Sequence, residues 1–267
     1  MCIRDRVWIF FGDPENAEKV AMPEIPELEG PSKWECVPVE FTVAGHHSMI
    51  IDNVSDFTHE HLHRKYAPFN DAKLTRLETV GDTVEVAYDT KVGRGKISGL
   101  FVDRGSIDTE SMELAYQYPY QWSNTDNKIK HWLFVLPVDE THTRGFFLFY
   151  FDHFVVPFTK VKIPRRLMRP FLRISNKLLI RPLLSQDGVA VEGEQEGWEK
   201  HWDAPIAEVS PAVNEFQKLT VRKWDEYLSR ERAKKEEREL VRLKRRQALE
   251  QADLQAVAVV AADGAEE

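Results

Sequence analysis

Between residues 73 and 154 the chain is written largely in strand-like runs, most of them joined by short polar turns. KLTRLETV (73–80), TVEVAYDTKV (83–92), MELAYQYPYQW (112–122), IKHWLFVLPV (129–138) and RGFFLFYFDHF (144–154) follow one another in this way. A link as short as Gly81-Asp82 or Asp139 to Thr143 leaves no room for the crossover that a parallel pair requires, so the runs joined in this way must pair antiparallel. VPVEFTV (37–43) alternates in the same manner, and residues 48–66 carry helical spacing. Pro164 opens a helical stretch to about Leu184, Ser185 caps a further helix that Pro205 ends, and Ser210-Pro211 starts a long helix running to about Ala252. AVAVVAADGAEE (256–267) reads as frayed. The fold class is therefore α+β, an antiparallel sheet with helices segregated around it. No internal repeat is present.

Composition narrows the functional classes. With 36 Lys+Arg against 44 Asp+Glu the net charge is −8, which disfavours a nucleic-acid binder with a cationic surface. A hydrophobic share of 42% suffices for a core. Two cysteines, Cys2 and Cys36, exclude a disulfide scaffold and any four-cysteine metal site built by this chain alone. A reducing, cytoplasmic setting is the default. No run approaches the ~18 apolar residues of a membrane span, and MCIRDR lacks the apolar core of a signal peptide.

Met1 to Arg6 read like translated transposon-end sequence, which makes residues 1–6 an expected sequencing scar with the natural gene continuing upstream. VWIFF (7–11), stopped by Gly12-Asp13-Pro14, reads as a strand. Pro14, Pro23, Pro26, Pro31 and Pro38 then predict an extended linker without helix and a domain boundary near residue 36.

The segment Asp52-Asn53-Val54-Ser55-Asp56-Phe57-Thr58-His59-Glu60-His61-Leu62-His63 carries the chemistry. On an α-helix His59 and His63 (i, i+4) share a face with Asp56 (i−3 from His59), while His61 points away. Two neutral imidazoles on one face can bind a divalent metal, and Asp56 is placed to orient one of them by accepting its free N–H. A solvated histidine-rich face is the bland alternative. His59-Glu60-x-x-His63 also spells H-E-x-x-H, the zinc peptidase signature with Glu60 as general base, although the strand-like sequence that follows offers no third ligand on a nearby helix. His46-His47, on the loop before, are not assigned as ligands.

Residues 53–63, N-x-x-D-x-x-H-x-x-x-H, preceded by VPVEFTV, resemble the mononuclear-iron motif of Rieske non-haem iron oxygenases, the alpha subunits of aromatic-ring-hydroxylating oxygenases. Most members have four residues between the histidines; this chain has three. The family's third ligand is an aspartate in a helix after the sheet, in a Q-D or E-D context with a glutamate five residues on, and Gln186-Asp187-Gly188-Val189-Ala190-Val191-Glu192 fits. The resemblance implies a helix-grip-like catalytic domain over 37–225 with His59, His63 and Asp187 holding Fe(II), and a charged helical tail over 226–267. It implies Asp56 as the acid that bridges to the electron-donating cluster of a neighbouring subunit. Two His and one carboxylate suit Fe(II) and leave positions for dioxygen, with substrate close by. For Asp187 alone, a carboxylate favoured by a helix N-terminus next to Ser185 is the alternative.

The family's [2Fe-2S] Rieske cluster requires C-x-H and C-x-x-H, and no such pair occurs. VWIFFGDPE resembles the last strand of that cluster domain, so residues 7–36 are expected to be its remnant edge and linker, the cluster belonging to the intact parent. By resemblance that parent inserts oxygen from O2 into an aromatic or related apolar substrate. Electrons come from NAD(P)H through a ferredoxin or flavin reductase, and the enzyme is a homo-oligomer, a trimer by family.

Other features stay open. Tyr116, Tyr118, Trp122, Trp132, Phe147 and Phe149 fit either a core or an apolar pocket. KVKIPRRLMRPFLRISNKLLIR (160–181) holds eight Lys/Arg and no acid, a solvated face or a docking face for an acidic protein or an anionic membrane. Against the oxygenase stands a non-catalytic module that encloses a hydrophobic ligand. Ligating atoms of His59, His63 and Asp187 around one point favour the first reading, and a gap beyond ~8 Å refutes it.

Overall fold

The computed structural model describes residues 2–3, 6–7, 14–19, 23–28, 34–63, 69–92, 109–153, 161–201 and 208–263. Seven strands form one antiparallel sheet: β1 (Glu35–Val43), β2 (Phe69–Val80), β3 (Thr83–Val92), β4 (Thr109–Gln117), β5 (Tyr120–Thr125), β6 (Ile129–Pro137) and β7 (Thr143–Phe151). Their order is β1-β7-β6-β5-β4-β3-β2, so β2 to β7 meander and β1 adds to the far edge. The α+β expectation of an antiparallel sheet with helices holds. Strand ends shift by a few residues, and the predicted run 112–122 is two strands, because Pro119 has no N–H for the ladder and the chain turns at Tyr118-Pro119.

Because β1 and β2 lie on opposite edges, the two strands stand ~29 Å apart at ~4.8 Å per strand, and the connection between them has that width to span. That crossing carries α1 (His47–Ser55) and a 3-10 turn, His59–His63. On the return, α2 (Arg165–Ser175) passes through a π-turn, Asn176–Ile180, into α3 (Arg181–His201), which packs against α1, the 3-10 turn and β1. Pro182 offers no N–H to the carbonyl of Leu178, and the helix widens just there. The predicted break at Ser185 does not occur; α3 begins at Arg181 and runs through it.

Strand register sorts the aromatic residues between two faces. Trp122 and Trp132 are directly opposed and join Ile25, Leu148 and Tyr150 in one core cluster. Buried Tyr116 and Phe147 lie on the other face, where Phe216 meets Tyr116 at 5.6 Å and Phe57 meets Tyr88 at 5.5 Å between ring centroids. Both faces are therefore packed.

The linker departs from its prediction. Pro14 and Pro26 each open a 3-10 turn, Pro14–Lys19 and Pro26–Leu28, since a first helical position has no use for the missing N–H. Buried Glu27 pins the second turn to the sheet by accepting from Lys130 Nζ (2.9 Å) and Trp132 Nε1 (3.1 Å). At the N-terminus Cys2–Ile3 pairs with Arg6–Val7, while residues 8–11 of the predicted strand lie outside the described residues. Residues 1–217 and 218–267 form two compact units. The second is the remainder of α4 (Pro211–Asp263), which stays helical well past the predicted end at Ala252.

Candidate functional site

Helix α1 begins with an unusual cap: His46 Nδ1 accepts from the Ser48 N–H, and the His46 N–H donates to Gln195 Oε1 on α3 at 2.8 Å. His46 and His47 thus serve the helix start, with rings 4.2 Å apart, and burial pushes the His47 imidazole down to about 4. Met49, Ile50 and Ile51 are buried. The helix ends at Asp56, whose backbone is extended (ψ 101°) and whose carboxylate accepts from the Thr58 N–H at 2.9 Å and the Thr58 hydroxyl at 2.7 Å. This corrects the helical-face expectation in its geometry: Asp56 ends α1 instead of sharing a helix with the histidines, its carboxylate is engaged by Thr58, and its charge still acts on His59. A short polar side chain that bonds the backbone two residues on favours such a turn over a continued helix.

His59 and His63 occupy the 3-10 turn rather than an α-helix, yet their rings converge. His59 Nε2 lies 3.1 Å from His63 Nε2, Asp187 Oδ1 lies 3.1 Å from His63 Nε2, and Asp187 Oδ1 lies 3.6 Å from His59 Nε2. Asp187 sits about two turns inside α3, so the helix-dipole account of its position does not apply. His61 is exposed, as the spacing required, and Glu60 Oε2 accepts from the Asp71 N–H. Among the described residues, His59, His63 and Asp187 are the group placed to share one ion.

The electrostatics of the three side chains suit a cation. The buried Asp187 Oδ1 faces only the two imidazole Nε2 atoms, and a buried carboxylate oxygen is costly unless positive charge meets it. Cis ligands held at 2.0–2.2 Å from a metal stand ~3 Å apart, close to the three observed separations. Burial lowers the His59 pKa despite the attraction of Asp187, which keeps this imidazole neutral. Burial also opposes a charged His63, but the bonds to Asp187 and Gln186 outweigh it and raise that pKa.

Gln186 is the participant whose task the sequence did not reveal. Its Oε1 is 3.1 Å from His63 Nδ1, and accepting that N–H turns the Nε2 lone pair of His63 toward the shared point. Phe69 is the other, its ring edge-on to both imidazoles at 5.5 and 5.8 Å. An aromatic opening a strand carries no sequence signal of this role. A groove of about 360 Å³ between β1 and α3 is lined by Glu40, Arg181 and Glu192 among others and does not include the three converging residues.

On the same sheet face as Phe147, His131 has Nδ1 2.8 Å from Ser123 Oγ and Nε2 2.8 Å from Gln121 Oε1. Burial pushes its imidazole down to about 3, so it stays neutral.

Comparison with known proteins places these features in context. Residues 43–231 match the family model of the vanillate O-demethylase oxygenase C-terminal domain. A 4beta-methylsterol monooxygenase of Methylococcus capsulatus is 44% identical over 221 residues, covering 83% of this chain and 60% of that protein. The chain thus spans about 60% of the length of this curated relative. Dicamba monooxygenase bound to 3,6-dichlorosalicylic acid shares the fold with a TM-score of 0.59 at 16% identity, covering 79% of this chain and 66% of that one. Dicamba monooxygenase with non-haem iron and dicamba gives 0.56 at 16% identity, covering 82% and 65%.

Proposed function

This chain belongs to the vanillate O-demethylase oxygenase C-terminal domain family, the catalytic domains of Rieske-type oxygenases, and on that premise we propose that His59, His63 and Asp187 hold one Fe(II). The observation that carries the reading is the meeting of two Nε2 atoms and one Oδ1 atom at 3.1–3.6 Å on segments more than a hundred residues apart. Non-haem iron in the dicamba monooxygenase structure supports the choice of metal.

Bound there, iron supplies the one-electron chemistry by which dioxygen is activated for oxygen transfer. The residues supply the rest. Neutral His59 presents a lone pair instead of a proton. Gln186 holds the proton of His63 on Nδ1 so that Nε2 faces inward. Asp187 would offset part of the metal's charge, and a set of only three side-chain donors would leave the metal accessible to small reactants. Phe69 keeps water from one flank of the imidazoles.

The substrate is an apolar, methyl-bearing molecule related in class to the sterol of the Methylococcus relative, an inference supported by 44% identity. Electrons reach the site from NAD(P)H through a ferredoxin or flavin reductase and a Rieske cluster, with Asp56 linking cluster to iron across subunits of a trimer. In the test, the chain is loaded with Fe(II) without oxygen, desalted and analysed for metal. One iron per chain is expected, lost in His59→Ala, His63→Ala and Asp187→Ala. Wild-type protein that retains no iron, or retains zinc with peptidase activity, refutes the proposal. Weaker retention of a 4-methylsterol than of dicamba, followed by tryptophan quenching, refutes the substrate class alone.

A further inference from the structure

Helix α2 and the π-turn after it present a surface that the metal site does not use. Met168, Leu172 and Ser175 are buried and define the inner side. Leu167, Phe171, Ile174 and Leu178 recur at i, i+4, i+7 and i+11 and so form one stripe along the helix. Within that stripe Leu167 is 58% exposed, Ile174 58% and Leu178 61%, with Phe171 half-buried. Beside it runs a second stripe, Arg169, Arg173, Lys177 and Arg181 at i, i+4, i+8 and i+12. Arg169 pairs with Glu35 at 3.0 Å, whereas Arg173, Lys177 and Arg181 have no carboxylate within ion-pair distance among the described residues. No Asp or Glu occurs from His153 to Gln186.

We propose that this face seats the protein on an anionic lipid bilayer. An amphipathic helix with branched aliphatic side chains on one strip and cations on the next lies in a membrane interface, the aliphatic strip reaching the acyl boundary and the cations meeting phosphate headgroups. Charge complementarity selects a negatively charged partner. The exposed apolar stripe selects the bilayer over an acidic protein, because three large aliphatic side chains gain little against a carboxylate-rich surface and gain burial in lipid. The helix continues into α3, which carries Asp187, so a bilayer held here adjoins the element that bears the site. The surface stands independently of the iron reading, and neither test decides the other.

The experiment is co-sedimentation of the whole 267-residue chain with phosphatidylcholine vesicles, with and without phosphatidylglycerol, at low and high salt. Binding to the anionic vesicles is expected, weakened by salt and by removal of phosphatidylglycerol. Arg173→Gln with Lys177→Gln reduces partitioning about 25-fold, at about fivefold per charge near an anionic surface. Ile174→Asn with Leu178→Asn reduces it about tenfold, since it removes the buried apolar part. Both pairs sit at exposed positions and keep the parent's circular-dichroism melt. Wild-type protein that stays in the supernatant overturns the proposal. So does an unchanged partition of the Ile174/Leu178 pair, or an oligomer that this pair dissociates in ultracentrifugation, which makes the stripe a contact between copies. Capture by an acidic ferredoxin without any vesicle binding overturns it in favour of a protein partner.

Discussion

Asp52→Asn is expected to make the protein more stable at neutral and alkaline pH, against the usual direction of core substitutions. Asp52 lies on α1, and burial, opposed by the bond from Gln217 Nε2 (2.9 Å) and aided by Glu194, Glu208 and Asp56, raises its carboxyl to about 7. A carboxyl whose folded pKa exceeds its unfolded value binds its proton more tightly when folded. Its contribution is therefore fully present below the unfolded pKa of 3.8 and is lost as pH rises toward 7. At about 1.4 kcal/mol per unit, a shift of about three units sets a ceiling of about 4 kcal/mol, and residual solvent screening brings the expected penalty to about 2 kcal/mol. Asparagine has the same shape, can still accept from Gln217, and never acquires the charge. Urea unfolding followed by tryptophan fluorescence and far-ultraviolet dichroism should show the variant about 2 kcal/mol more stable at about pH 8, with the difference closing by about pH 4. A variant that is less stable throughout, or a difference that does not change with pH, refutes the reasoning.

Four further substitutions have outcomes set by the contacts or exposure of the residue replaced. His61→Ala should leave iron content unchanged in metal analysis, since that side chain faces solvent, while Gln186→Leu should retain the fold and lower iron affinity about 10- to 100-fold by releasing the His63 tautomer. Gly145→Ala should lower the thermal midpoint, at a cost of about 1–3 kcal/mol, because a Cβ there would overlap the Phe41 ring lying across the strand pair and stacked on Phe147. Glu27→Gln should flatten acid unfolding: the bonds from Lys130 and Trp132 outweigh burial and depress the Glu27 pKa, so its stabilisation is present above the unfolded value of 4.5 and is lost as pH falls through the folded one. Unfolding curves at a series of acidic pH values check the last, and an unchanged slope would contradict it.

Much of the sheet was legible along the chain because short turns permit one kind of pairing and alternation is a local property. The residues of the site were legible as candidates for a related reason: His59, His63 and the Gln186-Asp187 pair stand out by type and spacing whatever the backbone does. Their arrangement was not. Helical spacing put Asp56 on one helix with the histidines, but its carboxylate accepts from the Thr58 N–H where α1 ends, and the histidine turn is 3-10. A cap at Ser185 was reasonable from local propensity, yet packing on α1 and β1 carries α3 straight through it. Period-two aromatics could not declare their sides of the sheet, since register with distant strands assigns Trp132 to one face and Phe147 to the other. What only the tertiary structure decided is the meeting of residues 59, 63 and 187: a crossing forced by strand order brings the histidines over the sheet, and a helix lying back across it delivers the carboxylate.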